Sequence, residues 1–246
     1  MTEFLKDKFS SRPSSKEYRA GWDRTFGEET HAIDCDMDED CVCGASVPYR
    51  MSPEAVFPTR QGEGHLMGMA MVFVRFAGCS LACPQCDTDY SFDREMSLES
   101  IVEAVELHAN PESWVWLTGG EPTEQDIEPL VRKLKERGYL VALATNGTSL
   151  TPKQMPLDWV SVSPHKAEGW VLKEGHELKL ADGLNGAKIE VMAKAAQGSA
   201  FEHRLIQPLY DGETPVVSSM ARVKTWLRQH PKWRFSLQYH KAKGWQ

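Results

Sequence analysis

The stretch Phe73-Val-Arg-Phe-Ala-Gly-Cys79-Ser-Leu-Ala-Cys83-Pro-Gln-Cys86-Asp-Thr88 carries three cysteines at a C-x3-C-x2-C spacing. The apolar run from Ala70 to Phe76 predicts a strand, so the thiols lie on a loop at a strand end, where α/β folds place their chemistry. A closed structural zinc site requires four ligands, and the stretch offers no histidine or fourth cysteine. Three thiolates instead suit a [4Fe–4S] cluster that leaves one iron open to bind a small molecule.

Length and composition predict one α/β domain with an extension. The chain has 246 residues, of which 41% are hydrophobic, enough for a substantial core. No apolar run approaches the ~20 residues of a membrane span, and the first residues lack the apolar region of a secretory signal. Six cysteines in two groups of three predict metal or cluster ligands in a reducing compartment, and hence a cytoplasmic protein, rather than a disulfide framework.

The charge distribution argues against a nucleic-acid substrate. The formal net charge is −7, and the seven acidic residues between Glu28 and Asp40 account for all of it. The rest of the chain is charge-balanced and has no overall basic excess to hold a phosphate backbone.

Residues 1–54 differ from the rest and are predicted to be a partly irregular, acidic extension. They contain Cys35, Cys41 and Cys43 with His31 nearby, a C-x5-C-x-C spacing that matches no zinc site we can assign. Two interpretations stay open, namely a metal site and an acidic surface loop with reduced thiols.

Residues 55–246 alternate predicted strands with predicted helices. Such alternation indicates a parallel sheet, and about six parallel strands are too few for an eight-stranded barrel. A partial, open (β/α) barrel is therefore expected, with the polar motifs at the carboxyl ends of its strands. Six clear strand patterns lie at 70–76, 114–118, 139–145, 159–163, 204–208 and 234–238, and two weaker ones lie at 177–180 and 187–191. The expected helices lie at 97–107, 126–137 and 220–230.

The strand after the cysteine loop ends in Gly119-Gly-Glu-Pro122. Together with the three cysteines, this motif resembles the radical S-adenosylmethionine (SAM) superfamily, in which it contacts the amino group of SAM. Two glycines would let backbone carbonyls approach this ammonium group closely, and Glu121 would offset its charge. The resemblance implies that the open iron chelates SAM and that an electron from the cluster cleaves it to a 5′-deoxyadenosyl radical, which takes a hydrogen atom from the substrate.

A longer set of motifs narrows the resemblance. In chain order they are Gln61-Gly-Glu-Gly, Phe73-Val-Arg75, Cys86-Asp-Thr88, Thr118-Gly-Gly-Glu-Pro, Thr145-Asn-Gly-Thr, Ser163-Pro with Lys166, Gln207-Pro, and Gln238-Tyr-His240-Lys241. This order resembles the 7-carboxy-7-deazaguanine synthase family over about residues 57–246. The resemblance implies ring contraction of 6-carboxy-5,6,7,8-tetrahydropterin with loss of ammonia, in 7-deazapurine (queuosine-type) biosynthesis. It also implies a need for Mg2+, a flavodoxin- or ferredoxin-type electron donor, and a homodimer.

The resemblance also assigns roles to individual residues. The cluster ligands are Cys79, Cys83 and Cys86, and the hydroxyl of Thr88 is a Mg2+ ligand. The substrate contacts are Arg60, Gln61, Gly62, Glu63, Arg75, Thr118, His240 and Gln246. The SAM contacts are Gln85, Asp87, Gly119, Gly120, Glu121, Ser163, Pro164, His165, Gln207, Pro208, Leu209 and Tyr210.

Chemistry supports several of these assignments. The carboxylate of Glu63 can accept from the guanidine-like N–H pair of a pterin, and the fork of Arg75 suits the substrate carboxylate. Arg60 replaces an aliphatic residue of the family and would act through its backbone, while Gln246 would act through a terminal carboxylate. Two of these residues also have an interpretation without a substrate. His240 is alternatively a histidine packed at a strand end, and Arg75 is alternatively a member of a surface ion pair.

Two other functions compete with this one. A radical SAM activase that makes a glycyl radical on a partner protein shares the cysteine spacing, but it does not explain Gln61-Gly-Glu-Gly. A zinc-binding module without catalysis does not explain Gly119-Gly-Glu-Pro. Whether the product serves tRNA or DNA modification is not encoded in these motifs.

Overall fold

A computed structural model describes residues 47–243. The expected extension with Cys35, Cys41 and Cys43, and the expected contact Gln246, lie outside the described residues. The strands are β1 Tyr49–Arg60, β2 Ala70–Phe76, β3 Arg94–Met96, β4 Trp114–Gly119, β5 Leu140–Thr145, β6 Trp159–Val162, β7 Glu174–Asp182, β8 Ala200–Pro208, β9 Tyr210–Asp211, β10 Thr214–Pro215 and β11 Arg234–Phe235. The helices are α1 Leu98–Glu106, α2 Glu128–Glu136, α3 Ile189–Ala195, α4 Val217–Gln229 and α5 Tyr239–Lys243.

One sheet of nine strands organises the described part of the chain, in the order β11-β8-β7-β6-β5-β4-β2-β1-β3. From β2 to β11 the neighbouring strands are parallel, whereas β1 pairs antiparallel with both β2 and β3. The edge strands β11 and β3 do not pair with each other, so the sheet stays open. The predicted partial, open barrel is thereby confirmed. No helix among residues 47–243 is long and apolar enough to span a membrane.

The strand β1 was not expected from the sequence. Its proline residues, Pro53 and Pro58, remove backbone donors and weaken the strand pattern. Pro53 lies where the register shifts between Met51 and Val56, whereas Pro58 pairs opposite Val72 within the regular part of the strand. The strand crosses the predicted boundary between residues 54 and 55, so residues 49–54 belong to this sheet. The division of the whole chain into an extension and a main domain remains a prediction.

Two expectations near the C-terminal half were wrong. Residues 187–191 were expected to be a strand because polar and apolar side chains alternate there. They instead enter helix α3, since Ile189, Met192 and Ala196 are buried together at helical spacing. Residues 236–238 were expected to extend the last strand, but β11 ends at Phe235 and a further short helix, α5, follows.

The helices cover one face of the sheet. Helix α1 begins after Ser97, whose hydroxyl accepts from the backbone N–H of Ser100 at 3.1 Å. Helices α1 and α2 pack against β2, β4 and β5, and helices α3 and α4 pack against β6, β7 and β8. Each large side chain that is fully buried there contributes about 1.5–3 kcal/mol.

The opposite face, which we call the helix-free face, carries the candidate functional residues. Its apolar part is a smaller cluster formed by Met71, Trp116, Ala142 and Trp159. Because side chains alternate along a strand, Arg75 shares this face with Met71, and Thr118 shares it with Trp116. Arg75 and Thr118 also lie directly opposite each other in the register of β2 and β4.

We expect Asp182→Ala to destabilise the fold. Asp182 is completely buried, and its carboxylate accepts from Ser219 Oγ at 2.8 Å, Arg222 Nε at 3.0 Å and the backbone N–H of Ile189 at 3.1 Å. Its removal would leave the Ile189 N–H unpaired and take the carboxylate from Arg222, while Ser219 keeps the backbone carbonyl of residue 182 at 2.9 Å. The free energy of unfolding should fall by about 3 kcal/mol. Urea unfolding measures this change, with Asp211→Ala as an exposed aspartate control. An equal effect of the two substitutions would contradict the prediction.

Candidate active site

The cysteine loop is held against the end of β4. The carbonyl oxygen of Gly78 accepts from the backbone N–H of Glu121 at 2.8 Å, and the carbonyl oxygen of Phe76 accepts from that of Gly120 at 2.9 Å. The carboxylate of Glu124 accepts from both the N–H and the hydroxyl of Ser80, at 2.9 and 2.6 Å. The loop that bears the thiols is therefore fixed by residues 120–124.

The three cysteines are free thiols with different exposure. Cys83 is buried, Cys79 is partly buried and Cys86 is exposed. Burial raises the pKa of Cys79 to about 11 and also raises that of Cys86. Thiolates at these positions therefore need a bound cation to be stable at neutral pH.

The donor set fits a cluster better than a single ion. Among the described residues, no group of three or more His, Cys, Asp or Glu side chains is arranged to hold one metal ion. A [4Fe–4S] cluster needs only one thiolate on each of three irons, and three soft donors on one loop meet that requirement.

Cys83 lies in a polar environment that the motifs did not predict. Its sulfur lies 3.2 Å from Nδ1 of His165 and accepts from Nδ2 of Asn185 at 3.1 Å. Asn185 also donates from Nδ2 to the carbonyl of His165 and from its backbone N–H to Oε1 of Gln85, both at 3.0 Å. One asparagine therefore connects three residues expected around the cluster and SAM. The turn Gly183-Leu-Asn-Gly186 was the only sequence signal for it.

The two glycines after Thr118 are required by close backbone contact. A Cβ on Gly120 would lie 1.7 Å from the carbonyl oxygen of Gly78. Gly119 has a positive φ of 114°, and a Cβ there would lie 2.2 Å from the carbonyl oxygen of Phe76. Here the Gly-Gly pair allows the cysteine loop to pack directly on β4.

Glu121 is almost completely buried, at 1% exposure. One oxygen accepts from the hydroxyls of Thr123 and Thr145 at 2.6 and 2.8 Å, and the other accepts from the N–H of Asn146 at 2.7 Å. Burial raises the pKa of this carboxyl group, and the hydrogen bonds oppose the rise. Both oxygens are thus engaged with protein, and Glu121 joins the ends of β4 and β5.

A charged network lies where the helix-free face meets the cysteine loop. Glu63 forms an ion pair with Lys179 and accepts from Nε2 of Gln238 at 2.8 Å. The same Gln238 nitrogen donates to Asp87 at 3.0 Å, and Lys241 pairs with Asp87 at 2.5 Å. Two carboxylates and two ammonium groups therefore balance, which offsets part of the cost of desolvating them.

This network keeps Glu63 ionised. Burial by itself raises the pKa of Glu63, but the ammonium of Lys179 and the donor Gln238 bring it below its ordinary value. The pKa of Lys179 is raised, because its neighbouring carboxylates outweigh the effect of burial. Lys179 was missed by the sequence analysis, since a lysine within Glu177-Leu-Lys-Leu has the pattern of an ordinary exposed strand residue.

The loop after β1 contacts the segment after β11. The carbonyl of Gly62 accepts from the N–H of Tyr239 at 2.8 Å, and the N–H of Gly64 donates to Ser236 Oγ at 3.1 Å. A Cβ on Gly62 would lie 2.1 Å from Nδ1 of His240, so the expected substrate residues Gly62 and His240 are in contact. Ser236 in turn donates to Oε1 of Gln207 at 3.3 Å. These contacts bridge the opening of the sheet.

Arg75 and Arg60 have different surroundings. Arg75 pairs with Glu54 at 3.0 Å and lies 4.8 Å from the ring centroid of Phe57, while its Nε is buried without a partner. Arg60 donates to the carbonyl of Gly68 at 2.8 Å, so its side chain turns towards its own loop. This orientation leaves the backbone of Arg60 as its route to a ligand.

The other expected contacts follow strand ends. Gln61 accepts through Oε1 from the N–H of Glu63 at 3.1 Å, and the hydroxyl of Tyr210 accepts from the N–H of Gln238 at 3.2 Å. The remaining expected residues occupy the loop after β2, the loop after β6 and the end of β8. They are Thr88, Ser163, Pro164, Pro208 and Leu209.

Known proteins are similar to this chain in sequence and in fold. The Radical SAM superfamily model matches residues 73–166. A 7-carboxy-7-deazaguanine synthase of Bradyrhizobium diazoefficiens is 37% identical over 209 residues, covering 77% of this chain and 96% of that protein. That of Nitratidesulfovibrio vulgaris is 33% identical over 220 residues, covering 80% and 98%. The crystal structure of QueE from Escherichia coli matches with a TM-score of 0.58 at 22% identity, covering 83% of this chain and 100% of that one, which supports the fold.

We expect Gly120→Ala to separate the cysteine loop from β4, because the new methyl group would overlap the Gly78 carbonyl. The free energy of unfolding should fall by about 2 kcal/mol, and anaerobically reconstituted protein should retain less iron. Thermal unfolding and iron analysis measure the two effects. The control is Gly198→Ala, where the glycine has a φ of +78° and open space around it. If this control lost as much iron, general destabilisation rather than overlap with the Gly78 carbonyl would be responsible.

Proposed function

Because the chain belongs to the 7-carboxy-7-deazaguanine synthase family of the radical SAM superfamily, we propose that it contracts the ring of 6-carboxy-5,6,7,8-tetrahydropterin to 7-carboxy-7-deazaguanine with loss of ammonia. The observation that carries this proposal is the largely buried carboxylate of Glu63, which pairs with Lys179 and shares the donor Gln238 with Asp87 of the cysteine loop. An anionic acceptor at that place suits the N–H pair of a pterin ring. The relatives give no support to a glycyl-radical activase or to a zinc-binding module.

The radical chemistry comes from the bound groups. When bound, a [4Fe–4S] cluster and SAM would together supply the one-electron chemistry that removes a hydrogen atom from the substrate. The chain would hold the cluster through Cys79, Cys83 and Cys86. It would hold SAM through the loops after β2, β4 and β6 and the end of β8.

The substrate would be held at both of its ends. Gln61 and Glu63 read the pterin edge, and the buried network around Glu63 prevents water from competing for it. Arg75 binds the substrate carboxylate, which would replace Glu54 as the anion on its guanidinium. Thr118 lies opposite Arg75 in the sheet, which supports its proposed role as a further substrate contact.

We also propose a Mg2+ ion at Thr88, since this hard cation takes oxygen ligands such as a hydroxyl. The remaining partners follow from the same family membership. They are an electron donor of the flavodoxin or ferredoxin type and a second copy of the chain. Cysteines that ligate a cluster need a reducing compartment, so we propose that the enzyme acts in the cytoplasm.

We expect reconstituted protein to form 7-carboxy-7-deazaguanine from carboxytetrahydropterin with SAM, reductant and Mg2+, detected by mass. If SAM is cleaved but this product does not form, the protein is a radical SAM enzyme that acts on another substrate. Stoichiometric zinc without sulfide in anaerobically prepared protein would exclude radical chemistry. As a matched pair, Cys79→Ala should abolish turnover and Cys41→Ala should retain it.

We expect Thr88→Val to raise the Mg2+ concentration that gives half-maximal turnover, because valine keeps the shape but lacks the hydroxyl. We expect this concentration to rise about tenfold, which corresponds to a loss of ~1.4 kcal/mol in the free energy of Mg2+ binding. Thr88→Ser retains the hydroxyl and should stay close to the unchanged enzyme. If valine and serine behave alike, the ion is held without this side chain.

A further inference from the structure

Lys179 is a buried cation on the helix-free face that none of the family motifs includes. It lies in β7, and its side chain is 17% exposed. Its ammonium pairs with Glu63, and the neighbouring carboxylates Glu177 and Asp87 add to the favourable field around it. Glu177 is itself held by Ser161 at 2.8 Å, so this part of the site is preorganised.

We propose that Lys179 is a positioning residue that fixes Glu63 as an oriented carboxylate and thereby sets the preference of the site for a ring edge that presents two N–H donors. The inference rests on the proposed function. Two contacts carry it. Lys179 engages Oε2 of Glu63, while Gln238 engages Oε1 at 2.8 Å, so the plane of the carboxylate is fixed from both sides.

The physical argument concerns what Glu63 becomes without this cation. An isolated carboxylate in a buried site tends to take up a proton, because burial disfavours the charged form. A protonated Glu63 would present one donor and one acceptor in place of two acceptors. It would then oppose the 2-amino and ring N–H donors of a pterin and would better match an edge that carries a carbonyl. Lys179 is thus a determinant of specificity that acts through Glu63.

Other charged or titratable groups also face this pair. Lys179 influences His165, and Glu63 is influenced by His240 and influences Tyr210. Each of these groups is present in every variant tested below. Lys179→Met also removes the charge that acts on His165, whereas Lys179→Arg keeps a positive charge there, so the comparison of these two variants separates the effect on Glu63 from a general loss of charge.

The experiment uses reconstituted full-length protein with SAM and measures binding of 6-carboxypterin, a fluorescent aromatic analogue of the substrate. Lys179→Met should weaken binding at pH 7 by about tenfold, because a protonated Glu63 loses a hydrogen bond of the charged type to the ring edge. The loss should shrink as pH rises towards 8.5, because Glu63 then ionises without help. Lys179→Arg should retain most of the affinity. In turnover, Lys179→Met should raise KM more than it lowers kcat.

Specificity gives a second measurement. 6-Carboxylumazine carries a carbonyl where the pterin has its 2-amino group. Lys179→Met should therefore reduce the ratio of the affinity for carboxypterin to the affinity for carboxylumazine. A role limited to stability would lower both affinities equally and at every pH, and that outcome would overturn the inference.

A double-mutant cycle separates indirect from direct contact. If Lys179 acts through Glu63, then Lys179→Met should cost little further affinity once Glu63→Gln is present. Losses that multiply would mean that Lys179 contacts the ligand itself, contradicting the positioning role. Lys173→Met removes an exposed lysine as a charge control and should leave binding unchanged.

The remaining outcomes distinguish the two proposals. If the unchanged protein and the Lys179→Met variant bind carboxypterin equally well, the role proposed for Lys179 is overturned. The proposed function of the protein is not affected by that result. Unchanged protein that does not bind carboxypterin overturns the proposed function and this inference with it.

Discussion

The ion pair between Glu63 and Lys179 is the interaction on which the candidate site depends. Burying either charge alone would cost several kcal/mol. Gln238 donates to Glu63 and to Asp87, and Lys241 pairs with Asp87. These contacts offset part of the cost, because each carboxylate has both a hydrogen-bond donor and a cation beside it. The result joins three segments that are distant in sequence, namely the loop after β1, the cysteine loop and helix α5. Their relative placement is consequently determined by electrostatics as well as by the sheet.

A second constraint is steric and acts at the other side of the cysteine loop. Gly119 and Gly120 allow two backbones to touch, and Glu121 then fastens β4 to the end of β5 through Thr145 and Asn146. The loop is thus confined between a backbone contact and a polar network. Such confinement keeps the three thiols on a rigid support, which precise positioning of a redox group requires.

The sequence predicted those features that depend on local patterns. The strand at Ala70–Phe76 and the helix after Ser97 could be predicted because their apolar periodicity and capping are encoded in neighbouring residues. Strand β1 could not, since its pairing overrides the prolines that it contains. Lys179 and Asn185 were missed for a related reason. Their importance comes from partners about one hundred residues away, and no local spacing records such a contact.

The bridge between the loop after β1 and the segment after β11 has a consequence for synthesis of the protein. Ser236, Gln238 and Tyr239 follow all eleven described strands in the chain, yet they hold Gly64, Glu63 and Gly62. A nascent chain that has emerged only as far as β8 would already present the cysteine loop but would lack this bridge. The ribosome therefore delivers the three cysteines early and the segment that holds Glu63 late.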